Sequence, residues 1–427
     1  MHETVLLVGG GGREHAIARA LADVDLYACA SNRNPGIAGI AREMQTIDER
    51  DADAIVEYAE AIGATLAVIG PEAALESGVV DALEDAGIYA FGPRAEQARI
   101  ETDKAYQRRF MVEHDVPGTP AFETFEDADS AADYVAAVDG DVAVKPRGLT
   151  GGKGVRVTGD QLTASEAVEY VRESGYEEWV VEERLVGEEF TIQALVANGD
   201  VRVTPAVQDH KRAYEGDEGP NTGGMGSYSD AAFALPFMTE EDYDDAVEII
   251  ERVVEGLEDY RGVLYGQFML TADGPKVVEF NARFGDPEAM NTLPVMETDF
   301  LDVLRAARED EPLPELAFDA RATVCKYAVP AGYPTDPQAG TRVALDEDDV
   351  GDALLFYASV DERDDGIYTT TSRSFAVVGR EDTIAEAERV ASRALADVDE
   401  GFHVRRDIGT EDLVQSRIDH VAALRGE

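Results

Sequence analysis

Short apolar runs alternate with segments of helical periodicity over residues 4–100. Strands that alternate with helices of roughly ten residues need crossover connections, so neighbouring strands pair in parallel. The sequence therefore predicts an α/β fold whose N-terminal part is an open parallel sheet. The predicted strands are Thr4–Val8, Leu26–Ala30, Leu66–Ile69 and Tyr89–Phe91, and the predicted helices are Arg13–Ala22, Ala52–Ile62 and Ala74–Ala86.

The remainder of the chain shows two further mixtures of helix and strand. A length of 427 residues favours about two to four domains. Strands dominate residues 190–279, apart from the loop Asp209–Tyr228 and the predicted helix Thr239–Tyr260. The other predicted helices are Thr102–His114, Asp127–Val138, Ala164–Ser174, Ile384–Ala396 and Glu411–Leu424, and the other strands are Val142–Lys145, Val155–Thr158, Trp179–Glu182, Thr323–Ala328, Leu354–Val360 and Ser374–Gly379.

The charge of the chain excludes several classes of function. Acidic residues outnumber basic ones by 88 to 37, and the formal net charge is −51. A hydrophobic content of 44% is enough to build cores, so the charge does not indicate disorder. So negative a field excludes general binding to nucleic acids or anionic membranes. Because concentrated salt screens self-repulsion, we hypothesise a halophilic protein from a high-salt cytosol.

The two cysteines and the N-terminal segment bear on the compartment. Cys29 and Cys325 lie far apart and match no metal-ligand spacing, which is typical of a reduced intracellular compartment. The opening MHETVLLVGGGG is a strand leading to a glycine turn and has no cleavable signal pattern. No apolar run approaches the ~20 residues of a membrane-spanning helix. We therefore expect a cytoplasmic protein.

Lysine is scarce, since only six of the 37 basic residues are lysines. A lysine kept in such a chain is expected where a compact ammonium on a flexible stem is chemically needed, because arginine cannot replace it as a point charge. Four of the six fall in or beside glycine-rich or charged motifs, which indicates an anionic ligand such as a nucleotide. The six are Lys104, Lys145, Lys153, Lys211, Lys276 and Lys326.

The turn Gly9–Gly12 follows the first predicted strand and begins a helix. Such a turn presents backbone N–H groups and a helix N-terminus to a phosphate. A nicotinamide dinucleotide would also need a ribose-binding carboxylate at the end of the second strand, and Ala28–Asn32 contains none. A sugar phosphate or similar anion fits better, and the alternative is a tight turn without a ligand.

Two lysines flank a glycine loop in the segment Val142–Val155, VAVKPRGLTGGKGV. Glycines let backbone amides approach oxyanions, and the ammonium groups of Lys145 and Lys153 can neutralise phosphate charge. The loop is not a Walker motif, because the GKS/T spacing that leads into a helix is missing. The alternative is a hairpin with one exposed lysine. The acidic segment Glu182–Phe190 could present backbone groups to an adenine edge. Taken alone it is typical of any acidic loop in an acidic protein, and only its position after the glycine loop favours a nucleotide.

The segments Gln208–Arg212 and Gly219–Gly226 form a second pair of motifs, QDHKR and GPNTGGMG. Three potential cations, one carboxylate and a rigid Gly/Pro/Asn segment suit a small zwitterion or a phosphate. Flexible linkers rarely carry such varied chemistry, although a structured surface loop remains the alternative.

The segment Val277–Glu288, VVEFNARFGDPE, combines a strand with a polar turn. Side chains alternate along a strand, so Glu279, Asn281 and Arg283 are predicted on one face, with Val278, Phe280 and Ala282 towards the core. Carboxylate and amide oxygens suit Mg²⁺, and Gln267 on the preceding strand could add another oxygen. Arg283 beside that metal could stabilise a transferring phosphoryl group. An amphipathic edge strand explains the alternation but not the RFGDPE that follows.

Together these motifs resemble a known family. The order of a lysine-bearing glycine loop, an acidic hinge and an E-x-N-x-R strand resembles the ATP-grasp superfamily. The combination of GGREHA, GPEAALESGVVD, DHKR, GPNTGGMG and EFNARFGDPE is similar to the phosphoribosylamine–glycine ligase family, and the similarity covers essentially the whole chain. It implies the ATP-dependent joining of glycine to 5-phosphoribosylamine in purine biosynthesis, with ATP and Mg²⁺ or Mn²⁺, by a monomer that binds neither nucleic acid nor membrane.

The resemblance also implies a domain division. Residues 1–102 would form a pre-ATP-grasp domain with an open parallel sheet, 103–321 a two-part ATP-grasp core with a mobile lid at 119–189, and 322–427 a small C-terminal α/β domain. Some positions depart from the family pattern, namely Pro146, Arg147, Gln267 and Met290. None of them removes a group that the chemistry needs.

Four sets of site residues follow from the motifs and the resemblance. Asp209 or Asp286 could take an ammonium group, and the Gly10–Gly12 amides with Arg13 or Lys211 could take a phosphate. The predicted catalytic residues are Arg283, Asp286 and Lys211, and the predicted metal ligands are Gln267, Glu279 and Asn281. The predicted ATP ligands are Lys104, Lys145, Gly151, Gly152, Lys153, Gly154, Glu182, Leu185 and Glu189. The predicted substrate ligands are Gly10, Gly11, Gly12, Arg13, Asn34, Pro71, Glu72, Asp209, Arg212, Asn221, Thr222, Gly223 and Gly224.

Three other functions stay open at this point. Another ATP-grasp enzyme, such as a carboxylase, would share the fold, but DHKR with GPNTGGMG argues against it. A dehydrogenase would use the N-terminal glycine turn, yet the ribose carboxylate is missing. A non-catalytic nucleotide sensor would not need Glu279, Asn281 and Arg283.

Overall fold

The N-terminal part of the chain is a five-stranded parallel sheet with helices around it. The structure, a computed structural model, describes residues 3–149, 154–398 and 400–426. Every pairing is parallel, in the order β3-β2-β1-β4-β5. The strands are β1 (Thr4–Val8), β2 (Asp25–Ala30), β3 (Glu43–Thr46), β4 (Leu66–Ile69) and β5 (Tyr89–Phe91), and the helices are α1 (Gly12–Ala20), α2 (Pro35–Ile40), α3 (Ala52–Ile62), α4 (Glu72–Glu76), α5 (Val79–Asp85), α6 (Ala95–Thr102) and α7 (Lys104–Glu113).

The predicted parallel sheet is confirmed, with differences in single elements. β1, α3, β4 and β5 have the predicted bounds. The predicted helix over 74–86 is wrong, because the chain turns there and forms α4 and α5 separately. Gly78 makes this turn with a φ of 76°, a left-handed conformation that glycine adopts without steric cost. The elements α2, β3 and α6 were not predicted.

A four-stranded antiparallel sheet follows, in the order β6-β9-β7-β8. Two helices pack together on it and enclose a small core around Trp179, which is fully buried. This unit lies inside the range 119–189 that was predicted to be a lid, and its mobility stays a prediction. Its elements are β6 (Phe122–Phe125), α8 (Ala128–Ala137), β7 (Val142–Pro146), β8 (Arg156–Val157), α9 (Ala164–Glu173) and β9 (Trp179–Glu183).

The next strands build most of a large antiparallel sheet. The helix α10 packs against it, and the hairpin β13–β14 stands apart from it. The strands are β10 (Glu188–Ala197), β11 (Asp200–Val203), β12 (Val207–Asp209), β13 (Arg212–Tyr214), β14 (Glu218–Asn221), β15 (Gly226–Ser229), β16 (Gly262–Thr271) and β17 (Gly274–Asn281). The helices are α10 (Glu240–Gly256), α11 (Ala289–Thr292) and α12 (Phe300–Arg308), with 3₁₀ turns at Glu215–Asp217 and Leu293–Val295.

The C-terminal elements extend the same sheet. β18 pairs with β15, so the strand order runs without a break as β17-β16-β10-β12-β15-β18-β23-β20. The predicted strand over 354–360 is wrong in length, because β20 ends at Tyr357 and Val360 begins a strand of a separate three-stranded sheet. The elements are β18 (Ala322–Pro330), β19 (Arg342–Val343), β20 (Leu354–Tyr357), β21 (Val360–Arg363), β22 (Gly366–Thr369), β23 (Phe375–Glu381), α13 (Ile384–Ala394), β24 (Phe402–Val404) and α14 (Glu411–Arg425).

A β-bulge changes which side chains of β17 face the core. Gln267 pairs with Glu279 and Phe268 pairs with Val277, which leaves Val278 without an opposite residue. The prediction that Val278 faces the core is therefore wrong, since Val277 is fully buried and Val278 is partly exposed. Bulges re-aim side chains next to functional sites. Here Glu279 still leaves the strand on the same side as Asn281 and lines a cavity.

Among the described residues, no helix combines the length and apolar character of a membrane span. Cys29 and Cys325 are both free and buried. Burial raises the pKa of Cys29 to about 12, so its thiol is unreactive at neutral pH.

Candidate functional site

Two adjoining cavities open beside β17. The larger, of about 270 Å³, lies among α7, the loop around Thr222 and the polar turn after β17. The smaller, of about 130 Å³, lies between β7 to β9 on one side and β16 and β17 on the other. Val155, Lys211 and Glu279 line both cavities. A ligand with an elongated, partly charged body could therefore reach from one cavity into the other.

The smaller cavity contains the predicted hinge residues. Lys145, Glu182, Leu185 and Glu189 line it together with apolar side chains such as Met269. This mixture of apolar walls and a few placed charges suits a nucleoside.

Glu182 sits in a buried ion-pair cluster at one wall of the smaller cavity. Arg108 Nε and Nη2 donate to its two carboxylate oxygens at 2.8 and 2.9 Å, and Lys145 Nζ lies 2.8 Å from Oε2. Burial alone would raise the pKa of Glu182, but Arg108 and then Lys145 outweigh burial and lower it. The cluster fixes the Lys145 ammonium, whose second acceptor is the carbonyl of Val278 at 3.1 Å.

Lys104 approaches the site from the first turn of α7. It lines the larger cavity, and its Nζ donates to the carbonyl of Gly148 at 2.7 Å. Burial lowers the pKa of Lys104 despite the opposing effect of Glu279. The predicted ligands Gly151, Gly152 and Lys153 lie outside the described residues.

Lys211 and Glu279 stand where the two cavities meet. Lys211 Nζ donates to Gln267 Oε1 at 2.5 Å and lies 3.9 Å from Glu279 Oε1. Burial alone would raise the pKa of Glu279, but Lys211, Lys104 and Lys145 together lower it to about 2. Glu279 is therefore an ionised carboxylate surrounded by ammonium groups.

The predicted metal ligands fit a hard divalent cation only in part. Glu279 supplies a charged oxygen, and the amide of Asn281 lies beside it, with Nδ2 at 3.5 Å from Glu279 Oε1. The Gln267 amide is engaged on both sides, accepting from Lys211 and donating to Glu189 at 2.6 Å. The described part of the chain holds no group of three or more His, Cys, Asp or Glu side chains suited to a metal. Glu279 and Asn281 match a cation that takes most of its ligands from water and substrate phosphates.

The polar turn after β17 brings opposite charges together in the larger cavity. Arg283 pairs with Glu72 at 3.2 Å and with Glu101 at 3.0 Å. Burial alone would raise the pKa of Glu72, but Arg283 and Arg13 lower it to about 2. Arg283 is therefore held firmly at the cavity wall.

Asp286 is held by groups from the C-terminal strands. Its Oδ1 accepts from the Tyr327 hydroxyl at 2.6 Å, and its Oδ2 lies 3.2 Å from Arg373 Nη2. Arg373 also donates to the carbonyls of Gly223 and Gly224 at 2.6 and 3.1 Å. The C-terminal part of the chain thus supports the loop that carries the GPNTGGMG motif.

The N-terminal glycine turn is occupied by the protein's own carboxylate. The Gly11 N–H donates to Glu14 Oε2 at 2.7 Å, and Arg13 Nε donates to Glu14 Oε1 at 2.6 Å. Asn34 is fully buried and donates to the carbonyls of Gly10 and Tyr357 at 3.0 and 2.7 Å. These contacts give Asn34 a structural role, and its binding of substrate stays a prediction.

The structure brings most of the predicted residues to the two cavities. Around the larger one lie Arg13, Glu72, Lys104, Asp209, Lys211, Thr222, Gly223, Glu279, Asn281, Arg283 and Asp286. Around the smaller one lie Lys145, Glu182, Leu185, Glu189, Lys211, Asn221, Gln267 and Glu279. Of the described predicted residues, those that line neither are Gly10, Gly11, Gly12, Asn34, Pro71, Gly154, Arg212 and Gly224.

Several cavity residues were not predicted. Glu288 lies in the recognised GDPE motif but had no role, and it accepts from the Tyr265 hydroxyl at 2.8 Å. Burial raises the pKa of both Asp209 and Glu288, and the negative charge of Glu288 raises that of Asp209 further. Glu101 and Arg373 also line the larger cavity, and Arg108 holds Glu182 at the smaller one. None of these three residues belongs to a recognised motif.

A small antiparallel sheet with two helices facing a larger antiparallel sheet, with lysines at the cavity between them, defines an ATP-grasp enzyme. Three domain families of phosphoribosylglycinamide synthetase match the chain. The N domain matches residues 3–101, the ATP-grasp (A) domain residues 102–289 and the C domain residues 323–411. The chain belongs to the phosphoribosylglycinamide synthetase family. The resemblance inferred from the motifs and the predicted fold class are thereby confirmed.

Individual relatives agree over the whole length. The phosphoribosylamine–glycine ligase of Methanosarcina barkeri is 50% identical over 435 residues, covering 99% of this chain and 100% of that one. The enzyme of the same name from Methanococcoides burtonii is 51% identical and covers 99% of each chain. The crystal structure of phosphoribosylamine–glycine ligase from Thermotoga maritima superimposes with a TM-score of 0.80 at 27% identity, covering 95% of this chain and 99% of that one.

Proposed function

We propose that the chain joins glycine to 5-phosphoribosylamine at the expense of ATP, giving glycinamide ribonucleotide, ADP and phosphate. Full-length relatives at about half identity carry the name of this activity. The observation that carries the proposal at the site is the meeting of the two cavities at Lys211 and Glu279. A nucleotide in the smaller cavity would direct its phosphates past these groups towards a substrate in the larger one.

The proposed reaction has two steps. A carboxylate oxygen of glycine attacks the γ-phosphorus of ATP, and ADP leaves with the electron pair of the broken P–O bond. The amine of phosphoribosylamine then attacks the acyl carbon of glycyl phosphate, phosphate leaves and the nitrogen loses a proton. Such phosphoryl transfer needs positioning and charge neutralisation more than a side-chain nucleophile.

The proposed nucleotide and metal ligands line the two cavities on both sides of Glu279. Lys104 and Lys145 neutralise phosphate charge, and Leu185 and Glu189 hold the nucleoside. Glu279 and Asn281 would hold a divalent cation, Mg²⁺ or Mn²⁺, which supplies further charge neutralisation at the phosphates. Gln267 positions Lys211 and Glu189 through its two hydrogen bonds rather than binding the metal.

In the larger cavity, Arg283 is proposed to stabilise the transferring phosphoryl group, and Lys211 to assist from the junction. Asp209 or Asp286 would take an ammonium group of a substrate. The unit within 119–189 would close over the site and shield the acyl phosphate from water.

The surroundings in which the enzyme works are also part of the proposal. The charge of −51 supports a high-salt cytosol and argues against nucleic-acid or membrane partners. The two free, buried thiols are in keeping with a reduced, cytoplasmic location. We also propose that the enzyme works as a monomer.

The experiment that tests this function is ADP release by the purified protein in molar KCl with Mg²⁺. Each of ATP, glycine and phosphoribosylamine is omitted in turn, and the product is identified by its mass. We expect full ADP release only with all three present, together with one glycinamide ribonucleotide per ADP. ADP release that is indifferent to glycine and phosphoribosylamine would reject the proposal.

A further inference from the structure

We propose that Arg147 is a positioning residue. Its ion pairs with Asp103 and Glu178, here called the latch, hold the segment after β7 against the first turn of α7 and so keep Lys104 at the cavities. This inference rests on the proposed ATP-dependent function and adds a residue to it. Arg147 itself does not line either cavity that contains the predicted ligands.

The Arg147 side chain joins three segments of the chain. Its Nε and Nη2 donate to the two carboxylate oxygens of Asp103, both at 2.7 Å, and its Nη1 donates to Glu178 Oε2 at 2.5 Å. Asp103 is the N-cap of α7, and Glu178 immediately precedes β9. A planar guanidinium can hold a carboxylate with two parallel hydrogen bonds, which a lysine cannot do.

Backbone hydrogen bonds continue the connection to Lys104. The Arg147 N–H donates to the carbonyl of Glu178, and the Lys104 N–H donates to the carbonyl of Arg147, both at 3.0 Å. The ammonium end of Lys104 donates to the carbonyl of Gly148 at 2.7 Å. Lys104 is therefore tied at both its backbone and its side chain to the two residues that follow β7.

The charges at the latch are stable over the physiological range. Hydrogen bonding to Asp103 raises the pKa of Arg147 despite partial burial. Burial alone would raise the pKa of Asp103, but Arg147 outweighs it and lowers that pKa. The side chains are 30% and 17% exposed, so salt screens the pair only in part. The strength of the Arg147–Asp103 pair depends on short, directed hydrogen bonds. The pair is therefore expected to persist in the high salt proposed for this highly charged protein.

The latch is expected to affect the nucleotide more than the other substrates. Without the latch, Lys104 and the segment after β7 are free to move. Nucleotide binding must then order them, and the entropy lost in doing so weakens the binding. The affinity for ADP should fall and the KM for ATP should rise, whereas the KM for glycine should stay the same. General damage to the fold would change all three.

The test compares five full-length variants by calorimetric titration with ADP and Mg²⁺ in molar KCl, four single ones and the double variant of Arg147→Met with Asp103→Asn. Arg147→Met keeps the aliphatic part of the side chain and removes the guanidinium group. Asp103→Asn removes the charge of the partner but keeps the helix cap, because Asn caps as well as Asp. Arg147→Lys keeps the charge without the two-pronged geometry. Arg172→Met is the matched control, since Arg172 pairs with Asp133 at 2.8 Å inside the unit of β6 to β9 and does not reach α7.

We expect Arg147→Met and Asp103→Asn to weaken ADP binding about tenfold, equivalent to about 1.4 kcal/mol, and Arg147→Lys to fall in between. The double variant should be no weaker than either single one. ADP binding within twofold of the wild type in Arg147→Met, or an equal rise in the KM for glycine, would overturn the proposal. If Arg147→Met does not fold, Asp103→Asn decides by the same criteria. A wild type that binds ADP but ignores glycine would refute the proposed function, while weaker ADP binding by the variants would still support the latch.

Discussion

At the scale of single residues, Glu279 concentrates the electrostatics of the site. Three ammonium groups surround one carboxylate, and they lower its pKa to about 2 although partial burial opposes this. Bringing a triphosphate into the cavities would add further negative charge next to this carboxylate, which is favourable only if cations balance it. The lysines and a divalent cation held by Glu279 and Asn281 are proposed to supply that balance.

We predict that Glu279→Gln lowers turnover by about 100-fold or more with little change in thermal stability. Glutamine has nearly the same shape, but it removes the negative charge that would hold the cation. The measurements are the steady-state rate at a series of Mg²⁺ concentrations and the melting temperature.

The control for this prediction is Glu255→Gln, which removes an exposed carboxylate on α10 that pairs with Arg252 at 3.0 Å and lines neither cavity. It should leave the rate unchanged. Near-normal turnover of Glu279→Gln at low Mg²⁺ would show that the metal assignment is wrong.

The scarcity of lysine drew attention to three residues that line the cavities, whereas the more frequent arginines carry no such signal. Lys104, Lys145 and Lys211 all line the cavities, whereas Lys326 is buried in the C-terminal part and donates to Glu388 at 2.6 Å. Arg373 lines the larger cavity, and Arg108 holds Glu182 at the wall of the smaller one. They were not predicted because arginine supplies most of the 37 basic residues, and their partners are distant in sequence. Only the folded chain brings Arg373 to Asp286.

At the scale of elements, the sequence predicted what local patterns determine. The apolar runs of β1, β4 and β5 and the periodicity of α3 gave the observed bounds. The break at Gly78 and the bulge at Val278 depend on packing against neighbouring elements, which no short window contains. The same holds for β3, a four-residue edge strand of mostly polar composition.

Gly226 shows that part of the GPNTGGMG motif is structural. It begins β15 with a φ of 149°, and a Cβ there would lie 2.3 Å from the carbonyl oxygen of Cys325 on β18. We predict that Gly226→Ala lowers the free energy of unfolding by about 3 kcal/mol or more, because backbone must move in the middle of the large sheet. Denaturant unfolding in molar KCl measures this change.

Gly63→Ala serves as the comparison. Gly63 has a φ of 67° at the end of α3, and nothing lies within 4 Å of an added Cβ. Only the left-handed backbone conformation opposes an alanine at this position. The free energy of unfolding of Gly63→Ala should therefore fall by about 1 kcal/mol. Equal losses for the two variants would mean that the contact with β18 is unimportant.

At the scale of the whole molecule, the large excess of acidic residues bears on stability. A net charge of −51 destabilises the compact state unless counter-ions screen it. We predict that the melting temperature rises by more than about 5 °C between 0.1 and 2 M KCl. Thermal unfolding followed by circular dichroism checks this.

The shape of the curve of melting temperature against KCl concentration distinguishes two causes of stabilisation by salt. Screening should give most of the rise at low concentration, where the Debye length falls fastest, whereas exclusion of salt from the protein surface would give a steady rise over the whole range. A melting temperature that is unchanged or falls with added KCl would contradict the proposed adaptation to high salt.

The pairing of β15 with β18 has a consequence for any shortened form of the chain. Four consecutive residues of β15, from Gly226 to Ser229, are bridged to β18. A protein that stops at residue 321 would leave this strand with a row of unpaired N–H and C=O groups, the kind of open edge on which separate molecules join. The C-terminal part is therefore expected to protect the enzyme from self-association as well as to support the loop around Thr222. Proteolytic loss of that part is expected to yield aggregates rather than a smaller active core.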